Sequence, residues 1–326
     1  MSHGFLSLID LAAARFGASV VAANDEFFAS KDRLIVPEPA NWIEDRYTER
    51  GKWMDGWETR RRREPGFDWC ILRLGAPGVV CGVDVDTAHF RGNVPEACAI
   101  DVCAVDGYPA PATLPNVDWT EALPRTLLTG DTHNFFAVHD APRATHLRLR
   151  IFPDGGVARL RVYGKVAADW TSLARRGEVD LAAAEHGAWV VACSDMFFGS
   201  RHNLIMPGDA RTMGEGWETR RRRSGGHDWT VVRLATGGAI QRAEIDTRHF
   251  KGNAPESCSL EACTASTDVP AEDHQWRELM PRTPLLPDTR HVFERELTPT
   301  PGVTHVRLNI YPDGGVARLR LFGRPA

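Results

Sequence analysis

One long pattern occurs twice in this chain, so each occurrence is expected to fold as a similar unit. PDGGVARLR spans Pro153–Arg161 and returns at Pro312–Arg320. ETRRRR at Glu58–Arg63 returns at Glu218–Arg223. DTAHFRGNVPE, from Asp86 to Glu96, returns as DTRHFKGNAPE, from Asp246 to Glu256. DLAAARFGASVV from Asp10 returns as DLAAAEHGAWVV from Asp180. The shared positions are largely charged residues, His, Asn, Gly and Pro. A common hydrophobic pattern would not preserve these by itself, so they point to function as well as fold.

The offset between copies is 170 residues at Asp10/Asp180, 160 at His89/His249 and 159 at Pro153/Pro312. The first copy is therefore longer between Glu38 and Asp55, and slightly longer between Asp106 and Leu123. Both stretches read as loops, which absorb insertions better than packed elements. The period far exceeds that of solenoid repeats, and each copy is large enough for its own core. Two domains are expected, 1–167 and 168–326, with the boundary just after the repeated strand ending VYGK.

The net charge of -4 gives no basic excess for nucleic acid or an anionic membrane. No apolar run approaches the roughly 20 residues of a membrane span, and the N-terminus lacks the pattern of a signal peptide. A cytoplasmic location is expected, where the seven cysteines stay reduced. Cys98 and Cys103 recur as Cys258 and Cys263. Their C-x4-C spacing is not a usual zinc pattern, and they read as buried strand residues.

Each copy opens with a short helix, capped by Asp10 or Asp180 and ended by Gly17 or Gly187. Most of the rest reads as short strands. Leu147, Leu149 and Ile151 alternate with Arg148 and Arg150, a period of two with one apolar face. PDGG between two such strands reads as a tight turn. Many short antiparallel strands with Gly/Pro-rich turns predict an all-β chain of two tandem β-sandwiches.

Three motifs could carry chemistry. In ETRRRR, a strand would place Glu58, Arg60 and Arg62 on one face, and Glu218, Arg220 and Arg222 likewise. Guanidinium groups grip carboxylates in a bidentate fork, so this face suits a small anion. An ion-pair ladder is the structural alternative. DTxHFxGNxPE places Asp86, His89, Asn93 and Glu96 on a Gly/Pro loop, repeated as Asp246, His249, Asn253 and Glu256. A His, an amide and carboxylates there could move a proton and bind polar groups. The structural alternative has Asp86 capping its own turn, His89 bonded to a backbone carbonyl and Asn93 in the left-handed region. PDGGVARLR places Arg159 and Arg318 on the polar face of a strand, where they join the site or pair with acids. Asp68 and Asp228 read as strand-entry residues. The nucleotide, serine-hydrolase and zincin motifs are absent.

Taken in order and twice, SVVAANDEFFA, DGWETRRRR, GFDW, DTAHFRGNVPE and IFPDGGVARLRVYG resemble the allantoicase family over nearly the whole chain. The resemblance implies two jelly-roll sandwiches similar to galactose-binding domains. It also implies a hydrolase acting on carbon–nitrogen bonds of linear amidines, converting allantoate to ureidoglycolate and urea in purine degradation. On that reading Arg60, Arg62 or Arg159 clamps the substrate carboxylate, while His89 or His249 and Glu96 or Glu256 supply acid and base. Glu58, Asn93 and their repeats Glu218 and Asn253 hold ureido groups, and Arg220, Arg222 and Arg318 are the second-copy clamps. No cofactor or metal ligand is assigned, and a homo-oligomer with allantoate as small-molecule partner is expected. The competing reading is a non-catalytic pair of modules binding small anions or carbohydrates.

Overall fold

The computed structural model describes residues 4–175, 177–271 and 274–326. It divides into two units, Met1–Ala167 and Ala168–Ala326, each a β-sandwich organised around one long strand. In the first unit that strand is Asp68–Asp86. Residues 68–73 pair with Arg143–Phe152 on one side and Ser19–Ala23 on the other. Residues 78–86 pair with Arg159–Val166, residues 82–86 also with His133–Ala137, and residues 78–79 keep contact with the start of Arg143–Phe152. One strand thus contributes to both layers. Ala97–Cys103 and Thr120–Leu127 extend the first layer outward from Arg143–Phe152.

The second unit repeats this order around Asp228–Asp246, with Trp189–Cys193, Arg290–Phe293, Val303–Tyr311 and Arg318–Pro325 as neighbours. The inward side chains form the core. Leu147, Leu149, Ile151, Ile100, Val83, Leu160 and Val162 are fully buried, and so are Val306, Leu308, Ile310, Ile245, Leu319 and Leu321. Cys98 and Cys258 are buried, unbridged core residues, as their strand positions predicted. Burial pushes both thiols up to about 12.

The N-terminal helix of each repeat shrinks to one 3₁₀ turn, Ala14–Phe16 or Ala184–His186. Gly17 and Gly187 end these turns in the left-handed region, at φ 98° and 108°. Asp10 does not cap the turn, contrary to expectation. It lies in the short strand Ile9–Asp10, and its Oδ1 accepts from the backbone N–H of Ala12 and Val162. Its carboxylate therefore fastens the N-terminus to the sheet. A short α-helix, Trp170–Ala174, opens the second unit and is capped by Asp169.

Candidate active site

Glu58 is fixed by backbone pairing on both sides. It pairs with Gly156 in one direction and forms a bridge with Ala29 in the other. Trp57 beside it is fully buried, and its indole N–H donates to the Asp25 carbonyl at 2.8 Å. The ladder holds only Trp57–Glu58, so the alternation expected for ETRRRR fails after two residues. Arg60 and Arg62 do not share a working face with Glu58. Arg60 pairs with Asp25 at 2.6 Å, and Arg62 with the buried Asp68 at 2.8 Å. Arg220 and Arg222 pair likewise with Asp195 and Asp228. These arginines serve the ion-pair role.

The DTAHFRGNVPE turn is built around Phe90, which is fully buried. Asp86 accepts from the Ala88 N–H and caps its own turn. His89, rather than Asn93, takes the left-handed conformation, at φ 69°, and His249 does so at φ 75°. Such a conformation is uncommon outside glycine and clusters at functional sites. Asp131 holds it in place by accepting the His89 N–H at 2.8 Å. The PDGG turn explains its own recurrence here. Its Gly156 N–H donates to the Asn93 carbonyl at 2.8 Å. A Cβ on Gly156 would meet the Phe90 ring at 1.9 Å, and one on Gly155 would meet the Asn93 carbonyl at 2.6 Å.

Turn and strand meet at one hydrogen bond. Asn93 Nδ2 donates to Glu58 Oε1 at 2.7 Å, and Asn253 to Glu218 at 2.6 Å. Burial raises the Glu58 carboxyl above its ordinary value, against the opposing pull of Asn93. A cleft of about 710 Å³ opens above this pair, lined by Glu58, Asn93, His89, Arg91, Gly92, Phe28, Trp42, Lys52 and Met54. His89 packs on Trp42 with ring centroids 5.9 Å apart, and its Nε2 lies 3.2 Å from the Ala40 carbonyl. A carbonyl only accepts, so Nε2 carries a hydrogen, and in the neutral ring Nδ1 then offers a lone pair.

Trp42, Lys52 and Met54 come from the segment between Glu38 and Asp55. The offset between repeats falls from 170 to 160 across it, so the first copy is ten residues longer there. The extra residues include a small hairpin, Tyr47–Thr48 with Gly51–Lys52. Arg159 closes the stem of this loop. It is 2 % exposed, and all five of its N–H groups are used. They reach the carbonyls of Glu38, Pro39, Asp55 and Ala158 and the Asp55 carboxylate, at 2.7 to 3.3 Å. Arg159 therefore has no donor left for a ligand, contrary to the clamp role expected of it. Arg318 closes the shorter stem of the second repeat through the carbonyls of Gly208, Glu215 and Ala317.

Glu96 and Glu256 stand apart from the cleft. The N–H of Glu96 donates to the Phe152 carbonyl and that of Glu256 to Tyr311, which starts the next strand. The Glu96 side chain is 73 % exposed and lies 4.0 Å from Arg125; Glu256 is exposed too. The structure thus gathers Glu58, His89 and Asn93 and leaves the other candidates in supporting positions. Among the described residues, no three His, Cys, Asp or Glu side chains converge as a metal cluster. No helix of the described residues is long and apolar enough to cross a membrane.

The second repeat keeps the turn but not the walls. His249 Nε2 lies 2.8 Å from the Ala210 carbonyl, as its counterpart does at Ala40. The shorter loop places Met213 Sδ 3.3 Å from Asn253 Nδ2. Both amide hydrogens of Asn253 thus have protein partners, whereas Asn93 Nδ2 makes one such bond among the described residues.

The comparisons with known proteins agree with one another. The allantoicase repeat family model matches residues 9–167 and again 179–326. A probable allantoicase of Burkholderia mallei is 49% identical over 320 residues, covering 97% of this chain and 94% of that protein. A probable allantoicase of Pseudomonas aeruginosa is 49% identical over 326 residues, covering 98% and 97%. The crystal structure of allantoicase from Saccharomyces cerevisiae superposes with a TM-score of 0.82 at 34% identity, covering 97% of this chain and 92% of that one. With both of its repeats matched, this chain belongs to the allantoicase family.

Proposed function

We propose that this chain hydrolyses allantoate to ureidoglycolate and urea, and that the reaction takes place in the cleft of the first repeat. The observation that carries the placement is the Glu58–Asn93 pair beneath a walled cleft. Allantoate bears a carboxylate and two ureido groups on one methine carbon. Glu58 holds its proton to higher pH than a free glutamate, which suits a general acid. Its Oε2 makes no hydrogen bond among the described residues and is open to substrate.

In this mechanism Glu58 donates a proton to the nitrogen of the departing urea as its bond to the methine carbon breaks. The other ureido nitrogen supplies its lone pair, and the carbon becomes iminium-like. Water adds to that carbon, and the Glu58 carboxylate recovers a proton from it. The negative carboxylate also stabilises the cationic centre. The other amide hydrogen of Asn93 donates to a ureido carbonyl, and His89 Nδ1 accepts a ureido N–H. Glu58 replaces Glu96 as the acid/base in this reading, because Glu96 points into solvent. Glu58→Gln should lower kcat for urea release by about 100-fold or more. Near-normal turnover in that variant would remove Glu58 from the chemistry.

A further inference from the structure

We propose that Lys52, carried on the inserted hairpin of the first repeat, binds the substrate carboxylate and so sets the preference for ureido acids over neutral ureides. This rests on the first-repeat cleft being the allantoate site. The three arginines expected to clamp the carboxylate are paired elsewhere: Arg60 with Asp25, Arg62 with Asp68 and Arg159 with Asp55. Arg91, on the rim, is held by Asp131 at 2.8 Å. Lys52 lines the same cleft as Glu58 and Asn93. Its ammonium stands 4.3 Å above the Trp42 ring, and among the described residues it has no hydrogen bond or ion pair. The aromatic face holds the cation in place at little desolvation cost, leaving its N–H groups for an anion.

The chemistry fits this assignment. A carboxylate on the reacting carbon must sit within reach of Glu58 without sharing its position, because two adjacent carboxylates repel. A cation elsewhere in the cleft lining draws the substrate carboxylate away from Glu58 and presents the ureido nitrogens to it. The loop that carries Lys52 also supplies Trp42 and Met54, so one insertion builds both the wall and its charge. The second repeat, ten residues shorter here, has no counterpart to this hairpin.

The test uses the full chain with Lys52→Met and Lys52→Arg, assayed on allantoate and on its neutral carboxamide. Lys52 is exposed and its side chain makes no fold-holding bond among the described residues, so both variants should fold. A charge-assisted contact of this kind is worth about 30-fold in affinity. Lys52→Met is expected to raise KM for allantoate by about 30-fold, with kcat changed by less than about threefold. The preference for acid over carboxamide should fall by a similar factor, and Lys52→Arg should restore most of it. Unchanged KM and unchanged acid-to-amide preference in Lys52→Met would overturn the proposal. Glu58→Gln is measured in the same series. Wild-type turnover there would refute the placement of the site and the Lys52 assignment with it. Loss of turnover there with an unaffected Lys52→Met would refute the Lys52 assignment alone.

Discussion

Replacing Arg159 by Met should loosen the inserted loop of the first repeat far more than the equivalent change at Arg318 loosens its counterpart. Both arginines close a loop stem, and both are largely buried, at 2 % and 6 % exposure. Their partners differ. Arg159 faces the Asp55 carboxylate at 2.9 Å, and that carboxylate is itself 2 % exposed. Burial opposes the Asp55 charge, but hydrogen bonds from Arg159, Asn41 and Arg33 outweigh it and hold the carboxyl below its ordinary range. Removing Arg159 strands that carboxylate with Arg33 and the Asn41 N–H alone. Breaking a buried pair from one side costs about 3–5 kcal/mol. Arg318 has no carboxylate within ion-pair distance among the described residues, and burial pushes its guanidinium down to about 10. Its loss frees the Glu215 and Ala317 carbonyls, while Gly208 keeps Arg320 as a donor, and it also removes a poorly tolerated charge, so about 1–2 kcal/mol is expected. Hydrogen exchange resolves the two repeats separately. In Arg159→Met, the Asn41 amide, which donates to Asp55 at 2.9 Å, should exchange about 100-fold faster. Residues 206–217 of Arg318→Met should accelerate by about tenfold. Equal effects in the two variants, or less than a fivefold effect at Asn41, would refute the claim that the ion pair closes the first stem.

Other predictions follow from the same geometry. The Asn93 hydrogen bond favours the charged form of Glu58, so Asn93→Ala should move the Glu58 limb of the kcat–pH profile upward; an unmoved limb would separate the two residues. Gly156→Ala should displace Phe90 and the His89–Asn93 turn, costing about 2–3 kcal/mol by overpacking and most of the activity. A melting temperature and turnover near wild type would show that the turn yields freely. Buried Cys70, Cys98 and Cys258, whose thiols are raised by burial, should resist alkylation in the native protein at pH 8. Rapid labelling of any of them would contradict the packed core.

Much of the fold was legible because period-two alternation and recurrent turns are local signals. The site was legible only in parts. Glu58 and Asn93 were both visible, but in motifs 35 residues apart, and nothing in the spacing said that they touch. The arginines misled because strand alternation was extended beyond the two residues that pair. Arg159 does stand on the outer face of its strand, yet that face is roofed by Glu38, Pro39 and Asp55, which alternation does not reveal. Glu96 belonged to a repeated motif because its backbone starts a strand, a role that leaves the side chain in solvent. Lys52 and Trp42 were not legible from the repeat, because they lie in the unrepeated insertion. The signal was the length difference itself. An insertion rich in Trp and basic residues, beside a repeated loop, supplies what the repeat alone cannot.

Whether the first repeat holds the working site is decided by kcat for urea release from allantoate, measured with Glu58→Gln and Glu218→Gln side by side. A loss of about 100-fold or more is expected in Glu58→Gln, with turnover within about threefold of wild type in Glu218→Gln. Equal losses in the two variants, or a larger loss in Glu218→Gln, would contradict that placement.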